Sequence, residues 1–413
     1  MSISCSAVRA FQDLKYISAV KSRGTGTAGD WRAMRYVSRV FRKSGLEVKF
    51  DAFEALAFDE RSSRLTVLLP EQRELKARAL LYSSPTVLGG LEGEPIFARF
   101  GGEEDYEAVD ARGKIAVIRR APDKDSWWKE VSIASERGAV GLVVVDNYPY
   151  LFSGTVETGL FAPQDRFRDV PRPIPSVVTS KEDGEYLLEL VGTSAKVRLE
   201  VDAVTESRST RNIRGIIRGR GKNGEKVVIT AHRDSANTPG ANDNGSGTVV
   251  LLELSRALAK KKPNRTIELV SLGAEEFFGQ IGAQNYCKTH KEELRNIKAL
   301  VNIDMVAVGS EIKIITEGHW PDRTIKHTQW INRLLSRTAK ELGYKAGYGT
   351  CVTGCSDESR FIDAGVPSAW LWKPDDPCYH TSEDTVEKVN ANDIKAAADI
   401  VGTAVLQIVN GRS

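Results

Sequence analysis

From about residue 206 onward, short β-branched apolar runs alternate with amphipathic stretches of helical period, and this alternation restricts the possible folds strongly. Residues 227–230, 266–271, 299–303, 312–315 and 367–372 read as strands, and 246–260, 282–294, 328–342 and 391–409 as helices. Strands alternating with helices imply an α/β fold, with a mostly parallel central sheet flanked by helices on both faces. In such a sheet, ligands bind beyond the carboxyl ends of the strands.

Four of these strands are followed by residues of metal-ligand type. His232 and Asp243 follow the first, and Glu275-Glu276 follow 266–271. Asp304 closes 299–303, and His380 lies in the loop after 367–372. Two imidazoles and three carboxylates exceed the three ligands that a single catalytic zinc takes from protein. They suit two ions sharing one carboxylate, and the mixed donors favour zinc, with cobalt or manganese as alternatives. One of the paired glutamates is left over as a general base for water. Asp234, two residues beyond His232, is placed to fix the tautomer of that imidazole. His290, His319 and His327 lie away from strand ends and are assigned to structure.

A chain of 413 residues is expected to form two domains, and 41% hydrophobic with 27% charged residues is the balance of a globular protein. A net charge of +3 argues against a dedicated nucleic-acid or anionic-membrane binder. No apolar run approaches the ~20 residues that span a bilayer. The first twenty residues show no apolar signal core or small-residue cleavage site, so a cytoplasmic location is expected. The five cysteines read as buried thiols, although Cys351 and Cys355 are close enough to bridge.

In the first half, 7–21 and 30–45 read as helices. Between them, Gly24 to Gly29 match GxGxxG but follow a helix, so the motif reads as a turn with Asp30 capping the next helix. Strand-like runs at 46–50, 65–69 and 79–81 precede a separate α/β block. That block has strands at 113–118, 141–145 and 174–178 and helices at 127–137 and 183–190. No histidine precedes His232, so this block offers little to a metal.

The motifs Ala231-His-Arg-Asp-Ser235, Pro239-Gly-Ala-Asn-Asp-Asn244, Ala274-Glu-Glu276, Asn302-Ile-Asp-Met305, Ser356-Asp357 and Tyr379-His-Thr381 resemble, in order, those of the two-zinc metallopeptidases typified by aminopeptidase Y and bacterial leucyl aminopeptidases. The resemblance implies a zinc-exopeptidase fold of residues 1–55 and 206–413, interrupted at 56–205 by a smaller, β-rich protease-associated domain. Gly113-Lys-Ile115 and Ile174-Pro-Ser-Val177 match the pattern of that domain. It further implies that His232 and Asp304 hold one zinc, Glu276 and His380 the other, and that Asp243 bridges them. Glu275 is then the general base and Asp234 the support of His232. Arg233 and Asn242 replace the family's usual Tyr and Asp, neither at a ligand position, and Glu358 stands where many relatives have His, bordering the substrate pocket. The implied activity is removal of N-terminal residues from a peptide substrate. The alternatives are a carboxypeptidase or dipeptidase with Arg233, Arg360 or Lys373 as carboxylate clamp, a single-zinc cyclase, and a receptor-like relative without metal. No nucleic-acid or membrane partner is expected, and the oligomeric state stays open.

Overall fold

The computed structural model describes residues 2–122, 124, 126–156, 174–221, 223–276, 279–320, 323–352 and 354–411. Helices α1 (Ala7–Ser18) and α2 (Ala28–Lys43) open the chain. Thr27, rather than Asp30, caps α2. Its hydroxyl accepts the Asp30 N–H, and the Asp30 carboxylate accepts the Gly26 N–H.

Strand β1 (Glu47–Leu69) then runs unbroken for 23 residues, through a polar stretch that did not read as strand. The elements β2 (Arg73–Leu75), β3 (Ala77–Ala79), β4 (Leu91–Gly93), β5 (Pro95–Phe97), β6 (Ile115–Arg119), α3 (Trp128–Glu136), β7 (Gly141–Val145), β8 (Ser176–Thr179) and α4 (Lys181–Glu189) follow. Strand β9 (Lys196–Ile217) returns antiparallel along β1, paired from Leu69↔Lys196 to Glu47↔Ile216 with two register shifts on the way. The polar middle of β1 is strand because β9 supplies its hydrogen bonds, a pairing that local propensity does not report.

Beyond the ribbon come β10 (Lys226–His232), α5 (Gly247–Leu258), β11 (Thr266–Leu272), α6 (Ile281–Thr289), β12 (Ile297–Ile303), β13 (Ile312–Trp320), β14 (Arg323–Lys326), α7 (Gln329–Glu341), β15 (Ala346–Cys351), α8 (Glu358–Asp363), β16 (Ser368–Trp372) and α9 (Ala391–Val409). The large sheet has the order β14-β13-β16-β12-β10-β11-β9-β1-β2, with β15 beside β13 and β4 beside β9. Its centre, β16, β12, β10 and β11, is parallel. Alternate residues of β10 serve opposite faces. Val227, Ile229 and Ala231 enter the larger core with α1, α2, α5, α7 and α9, whereas Val228 joins Tyr286, Leu300 and Phe361 beneath α6 and α8.

A second sheet, β3-β8-β7-β6-β5, carries its own core between Phe58 and Ala203. The β1–β9 ribbon connects the two cores, with a register shift between Glu60 and Ser62. None of the helices among the described residues is long and apolar enough to cross a membrane.

Helix α5 starts directly behind the loop that carries Asp243. A Cβ on Gly247 would lie 2.4 Å from both the Ile303 carbonyl oxygen and Asn244 Oδ1. Gly247→Ala is therefore expected to destabilise the fold by about 1–3 kcal/mol, despite alanine's better helix propensity. Urea unfolding checks this, and an unchanged or higher midpoint would show that the strand end yields freely.

Candidate metal centre

The carboxyl ends of the parallel strands carry the site. His232 is the last residue of β10, Asp304 follows β12 directly, and Glu275 and Glu276 sit in the loop after β11. His380 comes from the loop after β16. The structure brings His232, Asp243, Glu276, Asp304 and His380 together, all of them buried. His232 Nε2 lies 3.2 Å from Asp304 Oδ1 and 3.5 Å from Asp243 Oδ1. His380 Nε2 lies 2.9 Å from Glu276 Oε2 and 3.2 Å from the other Asp243 oxygen, Oδ2. The two oxygens of one carboxylate thus face two separate imidazole–carboxylate pairs.

The Asp243 loop is tied down from several sides. The Asp384 carboxylate accepts the N–H groups of Asn242 and Asp243 at 2.7 and 3.0 Å. Asn242 Oδ1 accepts the Ala307 N–H, and its Nδ2 donates to Asp376. Beneath the loop, the fully buried Arg23 guanidinium donates to the carbonyls of Arg233, Pro239 and Gly240. Ser356 Oγ donates to Asp304 Oδ2 at 2.6 Å. Asp234 accepts the Glu276 N–H at 3.0 Å, and its other oxygen is 3.8 Å from His232 Nδ1. Ala274, Met305 and His380 all adopt positive φ, a conformation that persists only where the surroundings enforce it.

Burial opposes the charged imidazoles of His232 and His380. The surrounding carboxylates outweigh it, and both pKa values lie well above the ordinary range. Burial drives Glu275 well above the usual carboxylate range, Glu276 up to about 7 and Asp384 up to about 8. Asp243 is held low, because hydrogen bonding and the charges of His380 and His232 overcome its burial. A buried cluster of carboxylates must either hold protons or bind cations. Glu276 Oε1 is buried without a hydrogen-bond partner among the described residues, so the donor set fits a divalent metal.

The cluster opens into a cavity of about 310 Å³ walled by Trp370, Trp372 and Tyr379 and, from the second sheet's domain, by Arg120 and Phe152. Glu275 faces this cavity from beside the cluster. Glu358 does not border it. Fully buried, it accepts from Asn302 Nδ2 and pairs with His327 at 3.1 Å. The anticipated clamps also lie elsewhere. Arg233 is buried against Asp30 at 2.9 Å, Lys373 pairs with Asp393 at 2.5 Å, and Arg360 is absent from the cavity wall. Among the described residues, Arg120 is the cation that lines it. Sequence reasoning passed over Arg120 and Phe152 because neither is a metal-ligand residue type and their block contains no histidine. Nor did it assign a role to Asp384, although the place of that residue four positions after His380 hinted at one. His290 pairs with Asp51 at 3.0 Å, and His319 lies 3.1 Å from Thr324, both away from the cluster.

Comparison with known proteins agrees with this architecture. Residues 212–405 match the model of peptidase family M28, and 84–187 match the PA domain. Aminopeptidase YwaD of Bacillus subtilis is 31% identical over 98% of this chain and 85% of its own length. The probable lipoprotein aminopeptidase LpqL of Mycobacterium tuberculosis is 27% identical over 94% of this chain and 80% of its own. The solved structure of BSAP, a zinc aminopeptidase from Bacillus subtilis, superposes with a TM-score of 0.79 at 27% identity, covering 99% of this chain and 96% of that one. The chain belongs to peptidase family M28 and carries a PA domain.

The raised carboxyls set a pH dependence for the metal-free protein. Between their ordinary values of 4.5 and 3.8 and the folded values of about 7 and about 8, Glu276 and Asp384 hold protons that the unfolded chain has released. Stability therefore falls as pH rises through that window. The raised histidines act in the same sense above 6.5, whereas Asp243, held low, loses its contribution only as pH falls below 3.8. The thermal midpoint of chelator-treated protein is expected to drop from about pH 5 to about pH 8, and added zinc to remove most of the drop. A flat or rising midpoint in the chelated sample would refute proton storage in the cluster.

Proposed function

We propose that the protein is an aminopeptidase holding two zinc ions, one between His232 and Asp304 and one between Glu276 and His380, with Asp243 shared between them. The observation that carries this reading is the division of the two Asp243 oxygens between two imidazole–carboxylate pairs. Mixed imidazole and carboxylate donors suit zinc, and a relative with the same architecture is described as a zinc aminopeptidase. Bound there, zinc supplies Lewis acidity and lowers the pKa of water towards about 7.

Glu275 is the general base. Partly exposed to the cavity and raised in pKa by burial, it takes the proton of the attacking water and returns it to the leaving amine. Asp234 orients His232 through its Nδ1 side. Asp375 and Asp376 on the cavity wall suit a free α-ammonium group, which favours cleavage at the N-terminus. Residues 56–205 form the inserted unit of this reading, and the unpatterned, odd number of cysteines favours the cytoplasm as the compartment.

Peptides with free, acetylated and amidated ends, assayed with and without chelator, test the reading. Release of N-terminal residues from free-amine peptides alone, abolished by chelation, is the expected result. Cleavage of acetylated peptides that amidation blocks would make the enzyme a carboxypeptidase. Glu275→Gln is expected to keep its zinc and lose roughly 10²–10⁴-fold in kcat. Wild-type turnover in that variant would remove Glu275 from the role of base.

A further inference from the structure

We propose that the inserted PA domain is part of the metal site's scaffold, with Phe152 as a positioning residue for the metal ligand His380. This rests on His380 being a zinc ligand.

The two histidines of the cluster are supported differently. His232 Nδ1, though it makes no hydrogen bond among the described residues, has a carboxylate behind it, Asp234 Oδ1 at 3.8 Å. Nδ1 of His380 is buried and has no hydrogen-bond partner among the described residues. A ligating imidazole normally takes its orientation from a group on that nitrogen. His380 must therefore take its orientation from packing and from its backbone, which sits at φ 54.

The PA domain contributes to both. The Ser153 N–H donates to the His380 carbonyl at 2.6 Å, and Phe152 forms an antiparallel bridge with Thr381. The Phe152 ring lies 5.9 Å from the His380 imidazole, which stacks on Tyr379 at 3.9 Å on its other contact. Phe152 is itself fixed within its own domain. The Asp146 carboxylate accepts its N–H at 3.2 Å, and the Arg120 guanidinium lies 3.6 Å from its ring centroid. Arg120 in turn pairs with Asp146 at 3.2 Å and donates to the Lys124 carbonyl. A chain of contacts thus runs from the core of the inserted domain through Phe152 and Ser153 to His380, and none of these contacts reaches the His232 side chain.

The experiment follows zinc leaving the fully loaded enzyme into a chromogenic chelator, for wild type, Phe152→Ala, Phe152→Tyr and His380→Ala. Val131→Ala serves as a control, since Val131 lies in the PA-domain core and does not line the cavity. Removing an orienting group typically weakens metal binding 10–100-fold. One of the two ions is expected to leave Phe152→Ala roughly 10–100-fold faster than wild type, with the other unchanged. Phe152→Tyr, which keeps the ring, and Val131→Ala should release both ions at wild-type rates. The inference is overturned if Phe152→Ala releases zinc at the wild-type rate, or if Val131→Ala accelerates release equally. His380→Ala separates the two readings. If it binds a single zinc while Phe152→Ala behaves as wild type, only the positioning role falls. If it keeps both ions, the ligand assignment falls with it.

Discussion

The site has to keep many carboxylates dry in a small volume. Asp234, Asp243, Glu276, Asp304, Asp357 and Asp384 are all buried within or against one cluster. Burying unpaired charge is costly, and like charges add repulsion. The fold answers with short, directed donors: backbone N–H groups for Asp384 and Asp234, and the Ser356 hydroxyl for Asp304. Arg23 donates its hydrogen bonds to carbonyls instead, so its positive charge lies behind the loop and leaves the ligand oxygens free. Asp357 has neither oxygen satisfied among the described residues and sits well above the ordinary carboxylate range because of its burial. What remains unbalanced faces the cavity, where a cation belongs.

The strands and ligand-type residues were readable because the central strands are buried on both faces. Runs such as 227–230 are then continuous and β-branched, and a polar residue at their end stands out. Residues whose role depends on a distant partner were not readable. Strand β9 alternates Val197, Leu199, Val201 and Ala203 inward, yet its polar second half has no strand signature without β1 beside it. Arg233 and Lys373 look like free cations in a sequence, and their burial against Asp30 and Asp393 is purely a matter of tertiary structure. Glu358 follows the same logic, since its neighbours His327 and Asn302 come from other elements. Phe152 was invisible for a further reason: an aromatic residue in a loop carries no mark of the ring it will meet.

The inserted domain thus has two attachments of different kinds. The covalent one is the β1–β9 ribbon, whose pairing is continuous apart from register shifts near Glu60 and between Val67 and Leu69. The other is the contact of Phe152 and Ser153 with Thr381 and His380. Asn237, in the loop between His232 and Asp243, donates to Glu60 at 2.6 Å and links the shift in the ribbon to that loop.

The cavity wall has a consequence for what the enzyme leaves alone. A cavity of about 310 Å³, lined by Phe152, Arg120, Trp370 and Trp372 among the described residues, is small beside any folded surface. A loop on a native protein must bring two strands of chain to the cluster, while a frayed terminus brings one. For the aminopeptidase proposed above, shape alone thus favours loose chain ends over folded surfaces, whatever the chemistry at the cluster.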